Sequence, residues 1–103
     1  MASSGEPVTL DKLRSAKRDA ILAIAAKHGV ISIRVFGSFA RGEARADSDL
    51  DLLIEAGPKR TPFFPGGFLA DLEDELGRRV DIVEESGLRR LIRDRVVREA
   101  APL

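Results

Sequence analysis

Residues 37–54 read GSFARGEARADSDLDLLI, a turn followed by a strand, and the reading of this stretch decides the rest. In front of it stands VISIRVF (30–36), a β-branched and aromatic run cut off by Gly37, which is a strand signal. Gly37 and Ser38 turn the chain into a short helical segment, SFARGEA. A second strand, LDLLIE (50–55), is entered through Ser48 and Asp49 and stopped by Gly57 and Pro58. Period two places Asp49, Asp51 and Leu53 on one face of it, and Leu50, Leu52 and Ile54 on the other. The apolar face belongs to a core. On the opposite face the two carboxylates lie roughly 6.6 Å apart at their Cα atoms, close enough to converge on one divalent cation or to bridge two. Asp is a poor strand former and adjacent like charges repel, so using it twice calls for a compensating partner.

Working outward, Leu10, Leu13, Ala16, Ala20, Ile21, Ile24 and Ala25 follow helical spacing up to His28, with Thr9 as N-cap and Gly29 as stop. After the second strand, residues 58–66 hold three prolines and read as loop. Phe68, Leu69, Leu72 and Leu76 form one helical stripe closed by Gly77, and RVDIVEE (79–85) is a third strand. Ser86 is expected to cap a last helix that buries Leu88, Leu91, Ile92, Val96 and Ala100. The order α-β-α-β-α-β-α predicts an α+β (α/β) fold, a small mixed sheet of three strands or slightly more with helices packed against it. Residues 1–8 read as a flexible terminus and 9–103 as one domain.

Composition narrows the function. With 17 basic and 17 acidic residues the chain has no basic excess, and it lacks Trp and Tyr. Both features disfavour nucleic acid as the main ligand. Without cysteine there is no disulfide framework and no thiol chemistry. No apolar run approaches the roughly 20 residues of a bilayer span, and MASSGEP has no secretion pattern, so a cytoplasmic protein is expected. The acids crowd between Asp47 and Glu55, whereas Leu88 to Arg98 carries five arginines against one acid.

A calcium loop starting at Asp47 fails, because the Gly and Glu it needs at its sixth and twelfth positions are Leu52 and Pro58. A dehalogenase-type phosphatase fails on length. What remains is the combination: a Gly-Ser turn, ten residues, then D-x-D opening the next strand. It would set a phosphate cradle and a cation site at neighbouring strand ends, as metal-assisted phosphoryl or nucleotidyl transfer requires.

GSFARGEARADSDLDLLI resembles the signature of the DNA polymerase β-like nucleotidyltransferase superfamily, G-S-x10-D-x-D. The Ala40-Arg41-Gly42 that comes after Gly-Ser, the lack of a second domain and the closing REAAPL resemble its minimal nucleotidyltransferases. In prokaryotes these resemble the antitoxin of a toxin–antitoxin pair whose toxin is a HEPN-domain ribonuclease. The resemblance implies the nucleotidyltransferase fold and a third metal carboxylate on the next strand. Asp81 is the candidate by parity, with Glu84 and Glu85 competing. It also implies transfer of AMP from ATP. Asp49, Asp51 and Asp81 would act as catalytic and metal-binding residues for two Mg²⁺ (or Mn²⁺). Gly37, Ser38 and Arg41 would bind the nucleotide, although Arg41 could equally anchor the turn by pairing with an acid.

The implied acceptor is a tyrosine hydroxyl of the HEPN toxin, with no direct nucleic acid and no membrane involved. Whether the assembly is a homo- or hetero-oligomer stays open. Two alternatives accompany this reading: a catalytically silent antitoxin acting by contact, and a small-molecule nucleotidyltransferase, which so short a chain disfavours. Replacing Gly37 by Val is expected to block phosphate while sparing the core. Asp47 and Ser48 would cap or orient the motif. His28, at a helix C-terminus, is assigned to the helix dipole and given no catalytic role. Phe63, Phe64 and Phe68 with Pro62 and Pro65 form an apolar loop that packs over the sheet or docks a partner.

Overall fold

The computed structural model describes residues 8–103. The flexible terminus expected over residues 1–8 therefore falls, Val8 apart, outside the described residues. Helix α1 (Leu10–Lys27) starts where the Thr9 hydroxyl accepts from the Lys12 N–H at 3.1 Å, and it buries Leu13, Ile21 and Ala25. Strand β1 (Val30–Phe36) leads into a single helical turn, α2 (Ser38–Arg41), and then into β2 (Leu50–Ala56). Helix α3 (Gly66–Leu76) buries Phe68, Leu72 and Leu76, one residue per helical turn. Strand β3 (Val80–Glu84) is followed by a 3₁₀ turn (Glu85–Gly87), helix α4 (Arg90–Glu99) and a two-residue strand β4 (Ala101–Pro102).

The sheet runs β3-β2-β1-β4. Strand β1 is antiparallel to both β2 and β4, whereas β2 and β3 are parallel, a pairing that needs a crossover and receives it from α3. Two antiparallel pairs and one parallel pair make the sheet mixed, and the fold is α+β. The chain ends one strand later than the α-β-α-β-α-β-α order, because β4 is too short to leave a periodic signal.

Burial on β2 alternates only in part, since Leu53, on the face of Asp51, is as buried as its neighbours. Leu50, Leu52 and Ile54 are wholly buried, joining Leu13, Ile21, Phe68, Leu72 and Val80 in the core. Burying each such side chain is worth about 1.5–3 kcal/mol. Asp51, between them, faces the other way and stays half-exposed.

The last helix departs from expectation. Ser86 lies in the 3₁₀ turn rather than capping α4, which begins beyond Arg89 with no side-chain cap. No residue of α4 is buried, and Leu91 and Ile92 are 86% and 53% exposed. Val96 and Val97 are half-buried, and ion pairs add to the hold on the segment. Glu85 receives Arg34 and, at 3.3 Å, Arg93, and Glu99 receives Arg41 at 3.3 Å. The apolar loop also divides. Phe68 is core and Phe64 stacks on it with centroids 6.0 Å apart, while Phe63 is 93% exposed with φ +61°.

His28 does more than meet a dipole. It is buried, with Nδ1 2.7 Å from the Thr61 hydroxyl and Nε2 2.7 Å from Asp71, tying α1 to the loop and to α3. His28, then Lys27, hold the Asp71 carboxyl below the usual carboxylate range. His28→Ala should cost on the order of 2–3 kcal/mol in urea denaturation, from two lost hydrogen bonds and a cavity beside Phe68. Unchanged stability would reduce the pair of contacts to ornament.

Candidate active site

The site grows from the register of three strands. Phe36 on β1 pairs with Asp51 on β2, and Asp51 pairs in turn with Asp81 on β3. One row across the sheet therefore carries the end of β1, one carboxylate and then another. Immediately past Phe36, Gly37 adopts φ +72° and ψ −149°. A Cβ at this position would lie 2.0 Å from Asp51 Oδ2, so only glycine lets the turn pass over that carboxylate. The turn and the carboxylate are thus in direct contact.

The chain beyond Gly37 is pinned from beneath. Phe39 is buried, with the Arg78 guanidinium 5.1 Å above its ring, and Arg78 also donates to the Ser48 carbonyl at 2.6 Å. Ser48 closes the loop before β2, its hydroxyl accepting from the Arg45 N–H at 2.7 Å. Ser38 is the first residue of α2, next to the turn. These ties fix the backbone on which Gly37, Ser38 and Arg41 sit.

Of the two paired aspartates, Asp51 is perturbed by its surroundings. Asp51 is pushed up to about 6, first by burial, then by the Asp81 charge and a shared hydrogen bond with Asp81, and further by Asp49, against the opposing pull of Arg41. Asp81 itself is exposed. Asp49 stands two residues before Asp51, but its Oδ1 leans toward Arg79 Nε at 3.9 Å. Among the described residues, no three ligating side chains converge on one point as they stand. The structure thus brings Asp51 and Asp81 together and leaves Asp49 turned aside. The competitors for the third position are engaged elsewhere: Glu84 with Arg60 at 3.3 Å, and Glu85 with Arg34 and Arg93.

Residues 17–102 match the family described as the nucleotidyltransferase domain. The chain belongs to this family. It is a nucleotidyltransferase, and its relatives sharpen the kind. It is 38% identical over 94 residues to protein adenylyltransferase MntA of Thermococcus cleftensis, covering 89% of this chain and 93% of that protein. A solved structure assigned provisionally as a minimal nucleotidyltransferase shares 48% identity and a TM-score of 0.81, covering 99% of this chain and all of that one. A toxin–antitoxin crystal structure with AMP-PNP superposes with a TM-score of 0.69 over 82% of this chain and 69% of that chain, and at 20% identity it shares the fold alone. No described helix of the nucleotidyltransferase is long and apolar enough to cross a membrane.

The sequence left one feature of the site open, Arg41 anchoring the turn by pairing with an acid, which the structure bears out, and it missed another. Arg41 pairs with two acids at once, donating from Nε to Glu43 at 2.8 Å and from Nη1 to both Glu99 oxygens at 3.3 Å, which raises its pKa further. Glu43, two residues on, could be suspected from spacing; Glu99, at the far end of the chain, could not. The second feature is a cleft of about 580 Å³ lined by Glu55, Glu85, Leu88, Arg90, Arg93 and Asp94. Strand parity alone puts Glu55 on the face of Asp51, four residues along, but nothing in it foretells a cleft.

Proposed function

We propose that this chain transfers AMP from ATP to a hydroxyl group of a protein partner, a tyrosine of a HEPN-domain toxin, and thereby acts as an antitoxin. The observation that carries it is the contiguity of a turn only glycine can make with Asp51, and of Asp51 with Asp81. A phosphate-approaching backbone and a pair of hard oxygen donors share one spot. A relative named as a protein adenylyltransferase supports a protein acceptor, and a toxin–antitoxin complex among the structures of the same fold is consistent with a toxin in that role.

Gly37 and Ser38 cradle the β- and γ-phosphates, and Arg41 adds positive charge beside them. Carboxylate oxygens suit Mg²⁺, and Asp49, Asp51 and Asp81 would hold two such ions. Asp49 joins by leaving Arg79, whose side chain is 84% exposed at 3.9 Å, a contact worth little. The ions, when bound, neutralise the triphosphate and stabilise the charge that builds up at the α-phosphorus. The acceptor hydroxyl oxygen forms a bond to that phosphorus as the bond to the β-bridging oxygen breaks. Pyrophosphate leaves, and the hydroxyl proton passes to Asp81.

The test is mass spectrometry of a HEPN-domain protein encoded beside this one, incubated with the chain, ATP and Mg²⁺. Added AMP on a tyrosine is the expected result. A partner that is bound and neutralised yet carries no AMP would replace this reading with neutralisation by contact.

A further inference from the structure

Strand β4 is only two residues long, but its register reaches the site. Arg34 pairs with Pro102 and Val35 with Ala101 in antiparallel sense. Continued two residues further, that register sets Glu99 opposite Gly37. There its carboxylate accepts from the Gly37 N–H at 3.1 Å and from Arg41 Nη1 at 3.3 Å. The main chain beside it is pinned: Arg14 donates twice to the Pro102 carbonyl, at 2.6 and 3.1 Å, and Leu103 is buried. The side chain is less confined, about one-third exposed, on a helix with no buried residue.

We propose that the Glu99 carboxylate is a built-in anion that holds the phosphate cradle of the nucleotide-free protein and must swing out when a triphosphate enters. The proposal rests on the cradle assigned above to Gly37 and Arg41. The physical case is competition for the same donors. A carboxylate and a phosphate both take charge-assisted hydrogen bonds from an amide N–H and a guanidinium, and two anions cannot share one pair of donors. A site occupied by its own anion binds an outside one more weakly, in proportion to the fraction of molecules in which it stands free. Rotation of the Glu99 side chain is enough to open it, because its neighbours in β4 stay paired to β1. Glu99 thus keeps the Gly37 amide and Arg41 partnered in the resting protein.

A structural tie and a placeholder predict opposite signs. If Glu99 merely braces Arg41, its removal loosens the cradle and weakens ATP binding. If it is a placeholder, removal tightens binding. Glu99→Gln keeps an acceptor but drops the charge, Glu99→Ala removes both, and Glu99→Asp keeps the charge but shortens the reach. Calorimetric titration with ATP and Mg²⁺ should give all three a lower Kd than wild type, roughly tenfold for Ala, the loss of about one charge-assisted hydrogen bond's net worth. In NMR spectra the Gly37 amide resonance of wild type should move on adding ATP, and in Glu99→Ala it should already be displaced without nucleotide. Equal or weaker ATP binding by the variants overturns the placeholder while leaving the cradle intact. Failure of wild type and variants alike to bind ATP at millimolar concentration overturns the cradle, and the placeholder with it.

Discussion

Asp51→Asn should raise the melting temperature of the metal-free protein while lowering AMP transfer about a hundredfold or more, as loss of a carboxylate that holds metal typically does. The two effects have one cause. Asp51 is half-buried against Asp81 with Asp49 nearby, and its carboxyl is pushed up to about 6 from an ordinary 3.8. A folded-state value above the unfolded one means that this group stabilises the fold fully below pH 4. That contribution is lost as pH rises through 6. Because the site is open to solvent, the loss at neutral pH is on the order of 1 kcal/mol. Asn cannot ionise and can still hydrogen-bond Asp81, so the variant escapes the penalty.

Thermal melts in chelator between pH 4 and 8 would show it. The difference between wild type and Asp51→Asn isolates this group, since Asp71, held low by His28 and Lys27, titrates with the opposite sense. The gap should be closed below pH 4, open as pH rises from 4 to 6, and stay fully open above that. Adding Mg²⁺ at pH 7.5 should raise the wild-type melting temperature and leave the variant nearly unmoved. Parallel curves throughout would mean that Asp51 is not under strain from its neighbours.

What made these aspartates legible was alternation. A strand that spends two positions of one face on Asp while filling the other with Leu50, Leu52 and Ile54 separates a core from a site by its pattern alone. A third carboxylate on the next strand was implied by the family resemblance, parity chose Asp81 for it, and its register opposite Asp51 needed the parallel pairing. Asp49 shows where alternation stops: it shares a face with Asp51, yet its carboxylate leans toward Arg79, a choice made by rotamers. In α4, periodic apolar residues say that a helix could be amphipathic, not that anything lies against it. Leu91 and Ile92 stay exposed, while Val96 and Val97 are the half-buried residues of the helix. His28 and Glu99 share a further difficulty. Their partners lie 33, 43 and 62 residues away in the chain, beyond any local pattern.

The second large effect is at Gly37, where the structure adds to the expectation that substitution blocks phosphate while sparing the core. Residue 37 has φ +72°, and a Cβ there would fall 2.0 Å from Asp51 Oδ2. Even Gly37→Ala must therefore strain the backbone and push the Asp51 carboxylate aside. Gly37→Ala and Gly37→Val should each destabilise the protein by about 2–4 kcal/mol in urea denaturation and abolish measurable ATP binding. The near equality is diagnostic, since the clash comes from the first carbon, which both variants share. A double-mutant cycle with Asp51→Ala assigns the cause, as it deletes the carboxylate oxygens while leaving the turn. In that background Gly37→Ala should cost about half as much, the remainder being the left-handed φ. If the full penalty persists without the carboxylate, strain in the turn alone explains it, and the contact between Gly37 and Asp51 is not what selects glycine here.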